Sequence, residues 1–175
     1  KYHSHLLICN DLEPYSYIIN QCYLAEPPSE TIQKINSYID HLNTMNHMEE
    51  GIITHHYSPK DTYNIQENER AFYTHENAMI IDSIRKQINS FPEDYQTYLL
   101  APLLTKASIH TNTSGVFKGF HKKNGKGHFG GSNEDNTESR ITKQIVLEKP
   151  IFSDQPHKCD VSIYNDDINT TIDYI

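Results

Sequence analysis

Cysteine is scarce: Cys9, Cys22 and Cys159 are the only 3 in 175 residues and lie far apart. That spacing excludes a disulfide framework and a zinc knuckle, and it fits free thiols in a reducing cytoplasm. The 11 histidines are scattered, and His3, His5, His55 and His56 lack companion ligands at metal spacing, so no metal is expected. No apolar run reaches the ~18 residues that a membrane span requires, and no apolar targeting segment follows the N-terminus. With 7 glycines and 8 prolines the chain is neither collagen-like nor broadly disordered. There is no phosphate-binding glycine loop, no nucleophile elbow and no paired acid/base motif. Hydrolytic and phosphoryl-transfer signatures are therefore missing.

What is present fits one domain with a respectable core. Hydrophobic residues make up 36%, although a mean hydropathy of -0.68 points to polar insertions or a core shared with further sequence. The net charge of -8 argues against a general polyanion binder. The charge is uneven, however. Between Tyr95 and Asn133 stand Lys106, Lys118, Lys122, Lys123 and Lys126, with no Asp or Glu. Such a segment can contact phosphates locally or be a solvated lysine loop.

Residues 5–10 (HLLICN) read as a short buried strand ending at Asp11, where α/β folds bind ligands. Pro14 opens a helix with Tyr15, Ile18, Ile19, Cys22 and Tyr23 on one face, closed by Pro27 and Pro28. Ser29 and Glu30 start the next, with Ile32, Ile35, Ile39 and Leu42 as its stripe. Residues 45–70 read as irregular, with a short strand at Gly51–Tyr57. Thr74 is placed to cap a helix whose face is Ala78, Ile81, Ile84 and Ile88. Pro92 opens another, carrying Tyr95, Leu99, Leu103, Ala107 and Ile109, with Pro102 as a kink or break. Residues 124–140 read as a loop, and 141–148 (ITKQIVLE) alternate imperfectly like a strand. A last strand, CDVSIYND (159–166), ends in Asp166 and Asp167, and Thr170–Ile175 begin a connection. Two strands with acidic ends thus bracket a mainly helical middle. Their carboxylates can serve a nucleoside or simply cap helices. Most of the 12 tyrosines are expected at half-buried positions, although tyrosine also suits base stacking. Glu13 is expected to face solvent.

Four blocks resemble one family. CNDLEPYSYIINQCYL (9–24), RAFYTHENAMIIDSIRKQI (70–88), LLAPLLTKASIHTNTSGVFKGFHKK (99–123) and IYNDDIN (163–169) are similar, in order and separation, to segments of N6-adenine DNA methyltransferases of bacterial type II restriction–modification systems, the D12-like class. The resemblance implies an α/β fold containing part of a doubly wound, Rossmann-like methyltransferase sheet with a mainly helical insertion. It implies S-adenosylmethionine as cofactor, double-stranded DNA as partner and a bacterial cytoplasmic setting. By position, Asp11 would accept from the cofactor ribose, Leu12 would pack on its adenine and Asp167 would sit beside the adenine amine. Asn112, Thr113, Ser114 and Gly115 would lie near the target base or its phosphates, and Lys118, Lys122 and Lys123 would track the DNA backbone. Residues 1–28 and 150–175 would belong to the cofactor domain, and 29–149 to the DNA-contact insertion.

The family's Phe-x-Gly-x-Gly and Asp-Pro-Pro-Tyr motifs are absent, and the chain opens on Lys1. The expectation is an internal fragment, inactive alone because no pocket offsets the few kcal/mol needed to unstack a base. Two other readings remain open: a non-catalytic DNA-binding or specificity module, and an unrelated nucleotide-binding α/β protein.

Overall fold

A computed structural model describes residues 5–113, 119–130, 140–153 and 159–172. Its first strand, β1 (Leu6–Asn10), leads into α1 (Pro14–Tyr23), and α2 (Ser29–Asn43), α3 (Ile52–Tyr57), α4 (His75–Ile88) and α5 (Glu93–Ile109) follow. A hairpin of β2 (Lys122–Lys123) and β3 (Lys126–Gly127) comes next, then β4 (Asp160–Tyr164) and α6 (Ile168–Ile172). The fold is mixed α/β with two small sheets among the described residues. β1 and β4 pair in parallel with Leu6 opposite Asp160 and Asn10 opposite Tyr164, and β2 and β3 pair antiparallel.

The apolar stripes build the core. Ile35, Ile39 and Leu42 of α2 meet Ala78, Ile81, Ile84 and Ile88 of α4 and Leu99 and Leu103 of α5, all buried. Each of these isoleucines and leucines contributes about 1.5–3 kcal/mol on burial. Thr74 caps α4 as its position predicts, its hydroxyl accepting from the Asn77 amide. In α1 only Cys22 is fully buried, and burial pushes its thiol up to about 12. Pro102 neither breaks nor ends α5, which runs continuously from Glu93 to Ile109 with Pro102 buried inside.

Two expectations are corrected. Gly51–Tyr57 is not a strand, because α3 occupies Ile52–Tyr57. Its first turn is capped from another helix: the Asp82 carboxylate accepts from Gly51 N (3.0 Å), Ile53 N (3.0 Å), Thr54 N (2.8 Å) and the Thr54 hydroxyl (2.7 Å). Residue 51 must stay small, since a Cβ there would stand 2.8 Å from the Asp82 carboxyl carbon.

The second correction concerns 141–148, which belong to no strand. Ile145 and Leu147 are buried while Val146 is 52% exposed, so the inward–outward alternation holds from 145 on, whereas 142–144 are all exposed after buried Ile141. Side chains replace the neighbouring strand. Asn77 donates to Ile141 O and Lys143 O and accepts from Ile145 N (2.9 Å). Asn43 likewise donates to Leu147 O (3.0 Å) and accepts from Leu147 N (2.8 Å).

Candidate functional site

Parallel pairing sets the carboxyl ends of β1 and β4 side by side, so Asp11 and Asp167 leave the sheet at the same end. Two asparagines clasp the turns together. Asn165 Nδ2 donates to Asp11 O (2.8 Å) and Leu12 O (2.9 Å), and Asn10 Nδ2 donates to Asp166 O (3.0 Å). The Asp166 amide returns a bond to Asn10 Oδ1. Asn10 and Asn165 join the two turns, a role that sequence reasoning does not single out. Their only sequence signal is an Asn at each strand end, directly before or after the pairing stops.

The acids themselves are ordered. Asp11 Oδ1 accepts from Glu13 N at 2.9 Å, and that bond, with a second from the Ser16 side chain, holds its carboxyl below the usual 3.8. It is therefore ionised and purely an acceptor at neutral pH. Asp167 Oδ1 accepts from Asn169 N and Asn169 Nδ2, both at 2.8 Å, at the start of α6. Asp167 thus does the capping that strand-end Asp commonly does, whereas Asp11 closes the turn just before α1. Since a carboxylate offers about four acceptor positions, each also retains capacity for a ligand. Leu12 follows Asp11 directly and is 67% exposed, and Glu13 is exposed as expected.

The second predicted group is divided. Asn112 is fully buried: its Nδ2 donates to Ala71 O and His128 O, both at 2.8 Å, and its backbone N donates to Phe72 O at 2.7 Å. It roots the β2–β3 hairpin in the body, and Thr113 beside it is 9% exposed. Ser114, Gly115 and Lys118 lie outside the described residues.

Lys122 and Lys123 are exposed on β2, Lys126 is exposed on β3, and the Lys122 ammonium stands 5.2 Å from the Phe120 ring centroid. The Asn124-Gly125 turn has φ of 53° and 83°, the left-handed pair that a two-residue hairpin of this type demands. At the hairpin's base a Cβ on Gly127 would fall 2.6 Å from Ala71 Cβ, so only glycine permits this seat. Among the described residues no cluster of three His, Cys, Asp or Glu could hold a metal, and no helix is long and apolar enough to cross a membrane.

The structure thus presents two adjacent parallel strand ends bearing ordered acids, and a lysine hairpin rooted in the body by Asn112. Comparison with known proteins makes the class definite: residues 2–166 match the model of the D12 class N6 adenine-specific DNA methyltransferases, and the chain belongs to that family. It is 39% identical over 120 residues to the type II methyltransferase M.CviAII of Paramecium bursaria Chlorella virus 1, covering 66% of this chain and 34% of that protein. It is 32% identical over 152 residues to the type II methyltransferase M.NlaIII of Neisseria lactamica, covering 83% of this chain and 39% of the relative. The chain thus spans between a third and two-fifths of these relatives' length. No solved structure matches it. Membership does not favour the stand-alone specificity module or an unrelated nucleotide-binding protein.

Proposed function

We propose that the chain supplies the nucleoside-binding edge and a DNA-contact surface of an enzyme that methylates adenine N6 at a specific site in double-stranded DNA. The observation that carries this reading is the pair of acids at neighbouring parallel strand ends. Asp11 would accept from the ribose hydroxyls of S-adenosylmethionine, Asp167 would accept from its adenine amine, and exposed Leu12 would cover the adenine face. The donor set fits: an ionised carboxylate matches a diol, a second matches an amine, and an apolar side chain stands beside them. When bound, that cofactor supplies an electrophilic methyl group. The contribution of these residues is to hold and orient it, and orientation accounts for much of such a transfer.

The same reading assigns residues 1–28 and 150–175 to a cofactor domain of doubly wound, Rossmann-like type. Residues 29–149 form the DNA-contact part, in which Lys122 and Lys123 take phosphates and Asn112 and Thr113 support the hairpin that presents them. Ser114, Gly115 and Lys118, outside the described residues, would contact DNA by the same reading.

Calorimetric titration of S-adenosylmethionine into the chain tests the cofactor edge. Asp11→Ala and Asp167→Ala are each expected to weaken binding by about ten-fold or more, since a charge-assisted hydrogen bond is worth about 1.5–3 kcal/mol. Cofactor affinity untouched by either substitution would remove both acids from the site.

A further inference from the structure

Of the large exposed hydrophobic side chains among the described residues, Tyr63 is the most fully displayed, at 92% exposure. Other tyrosines are packed: Tyr38, Tyr95 and Tyr98 lie against the core, and Tyr73 is buried. Tyr63 stands out on a loop that is pinned on both sides. Its own N–H donates to Asp61 Oδ1 at 2.8 Å, and Asn64 N donates to Asp61 O. Glu69 accepts from Lys60 N (3.1 Å) and Gln66 N (2.8 Å). The neighbouring Thr62 is buried, its hydroxyl donating to Glu76 (2.7 Å) and accepting from His75 N (2.9 Å). A large apolar ring held in water on a fixed support gains nothing for folding.

The ring also has concave ground on either side. A depression of about 490 Å³, with Met48, Met79 and Ile80 in its walls, shares Thr62, Tyr63 and Thr142 with a second of about 220 Å³. The second is walled by Ile65 and by Lys126, Gly127, His128 and Phe129 from the hairpin. Tyr63 is therefore the ridge between an apolar hollow and the lysine-bearing hairpin. Of the carboxylates around it, Asp61, Glu69 and Glu76 are engaged by the loop's own donors, and Glu67 is exposed.

We propose that Tyr63 is a stacking platform for a base of a DNA strand lying across this groove, its phosphates held by Lys122, Lys123 and Lys126. The inference rests on the DNA-methyltransferase reading above and deepens it. The hairpin supplies charge complementarity to the phosphates, and the ring supplies a π-face that any base can use. The contact adds affinity without reading sequence, because every base presents such a face.

Fluorescence anisotropy of a labelled, adenine-containing duplex with an unpaired single-stranded stretch, whose bases offer free faces, tests it with the 175-residue chain. Tyr63→Ala is expected to weaken binding about ten-fold with an unchanged salt slope, and Tyr63→Phe to stay within about two-fold, because stacking needs the ring and not the hydroxyl. Thermal unfolding should be the same for all three proteins. Salt-dependent binding that Tyr63→Ala leaves intact, while loss of the three lysines weakens it, would overturn the platform and keep the DNA reading. Equal loss in Tyr63→Phe and Tyr63→Ala would replace stacking with a hydroxyl contact and overturn it too. Absence of DNA binding by the unsubstituted chain would sink the platform and the DNA reading together.

Discussion

His110 lies just past α5, 6% exposed, with no hydrogen-bond partner for its Nδ1 among the described residues. Burial, then the Lys106 charge, holds its imidazole below the usual 6.5, although a backbone bond at Lys143 pulls the other way. The unfolded chain therefore binds a proton at His110 more readily than the folded one. Folding stability should fall as the pH drops below the unfolded value and towards the lowered folded one. His110→Gln should flatten this part of the curve in urea unfolding, followed from neutral to mildly acidic pH. An unchanged slope would mean that other histidines dominate. At this scale the sequence is only partly legible. The acids at the strand ends are visible from their positions, but the burial of Asn112 is not, because an Asn in a polar run carries no mark of the two carbonyls it will meet.

The helices that can be read from sequence carry their own signals. α4 has Thr74 at its start and an apolar residue at each turn, and α2 has its isoleucine stripe. α3 carries no such signal, because its cap comes from Asp82, 28 to 31 residues away, and no local residue announces it. The segment at 141–148 looks like a strand in sequence because alternation reports which side chains face inward, not what the backbone bonds to. The Asn124-Gly125 dipeptide is a usable hairpin signal, but its flanks are lysines rather than alternating apolar residues. Asn77 is the test of the side-chain scaffold. Asn77→Ala strands the buried Ile141 carbonyl and Ile145 amide, which cost about 1–3 kcal/mol each when unpaired, so a loss of about 2–6 kcal/mol is expected. Urea unfolding measures the loss, and hydrogen exchange should quicken at the Ile145 amide. A loss under about 1 kcal/mol would show that water takes over these bonds.

Over the whole molecule the charge is -8, so its overall field repels DNA and any attraction must be local. Lys122, Lys123 and Lys126 concentrate that attraction on one rooted hairpin. Changing all three to Gln should reduce the slope of log affinity against log salt by about 2–3, at about 0.9 for each phosphate that is no longer neutralised. If the slope stays the same, the basic segment is a solvated surface and the phosphates are held elsewhere. While the sheets among the described residues are two-stranded, the mixed α/β class is legible at this scale because two apolar runs with acidic ends bracket helical periodicity. Their direct pairing is not, since periodicity says nothing about which strands meet.

That pairing has a consequence for the order of folding. Leu6 lies opposite Asp160 and Asn10 opposite Tyr164, so this sheet closes a loop of about 150 residues whose entropic cost must be met before any of its hydrogen bonds forms. The contacts within the helical middle are far more local and can form first. The helical body then acts as a template that carries the two strand ends towards each other, and the turns bearing Asp11 and Asp167 take shape last.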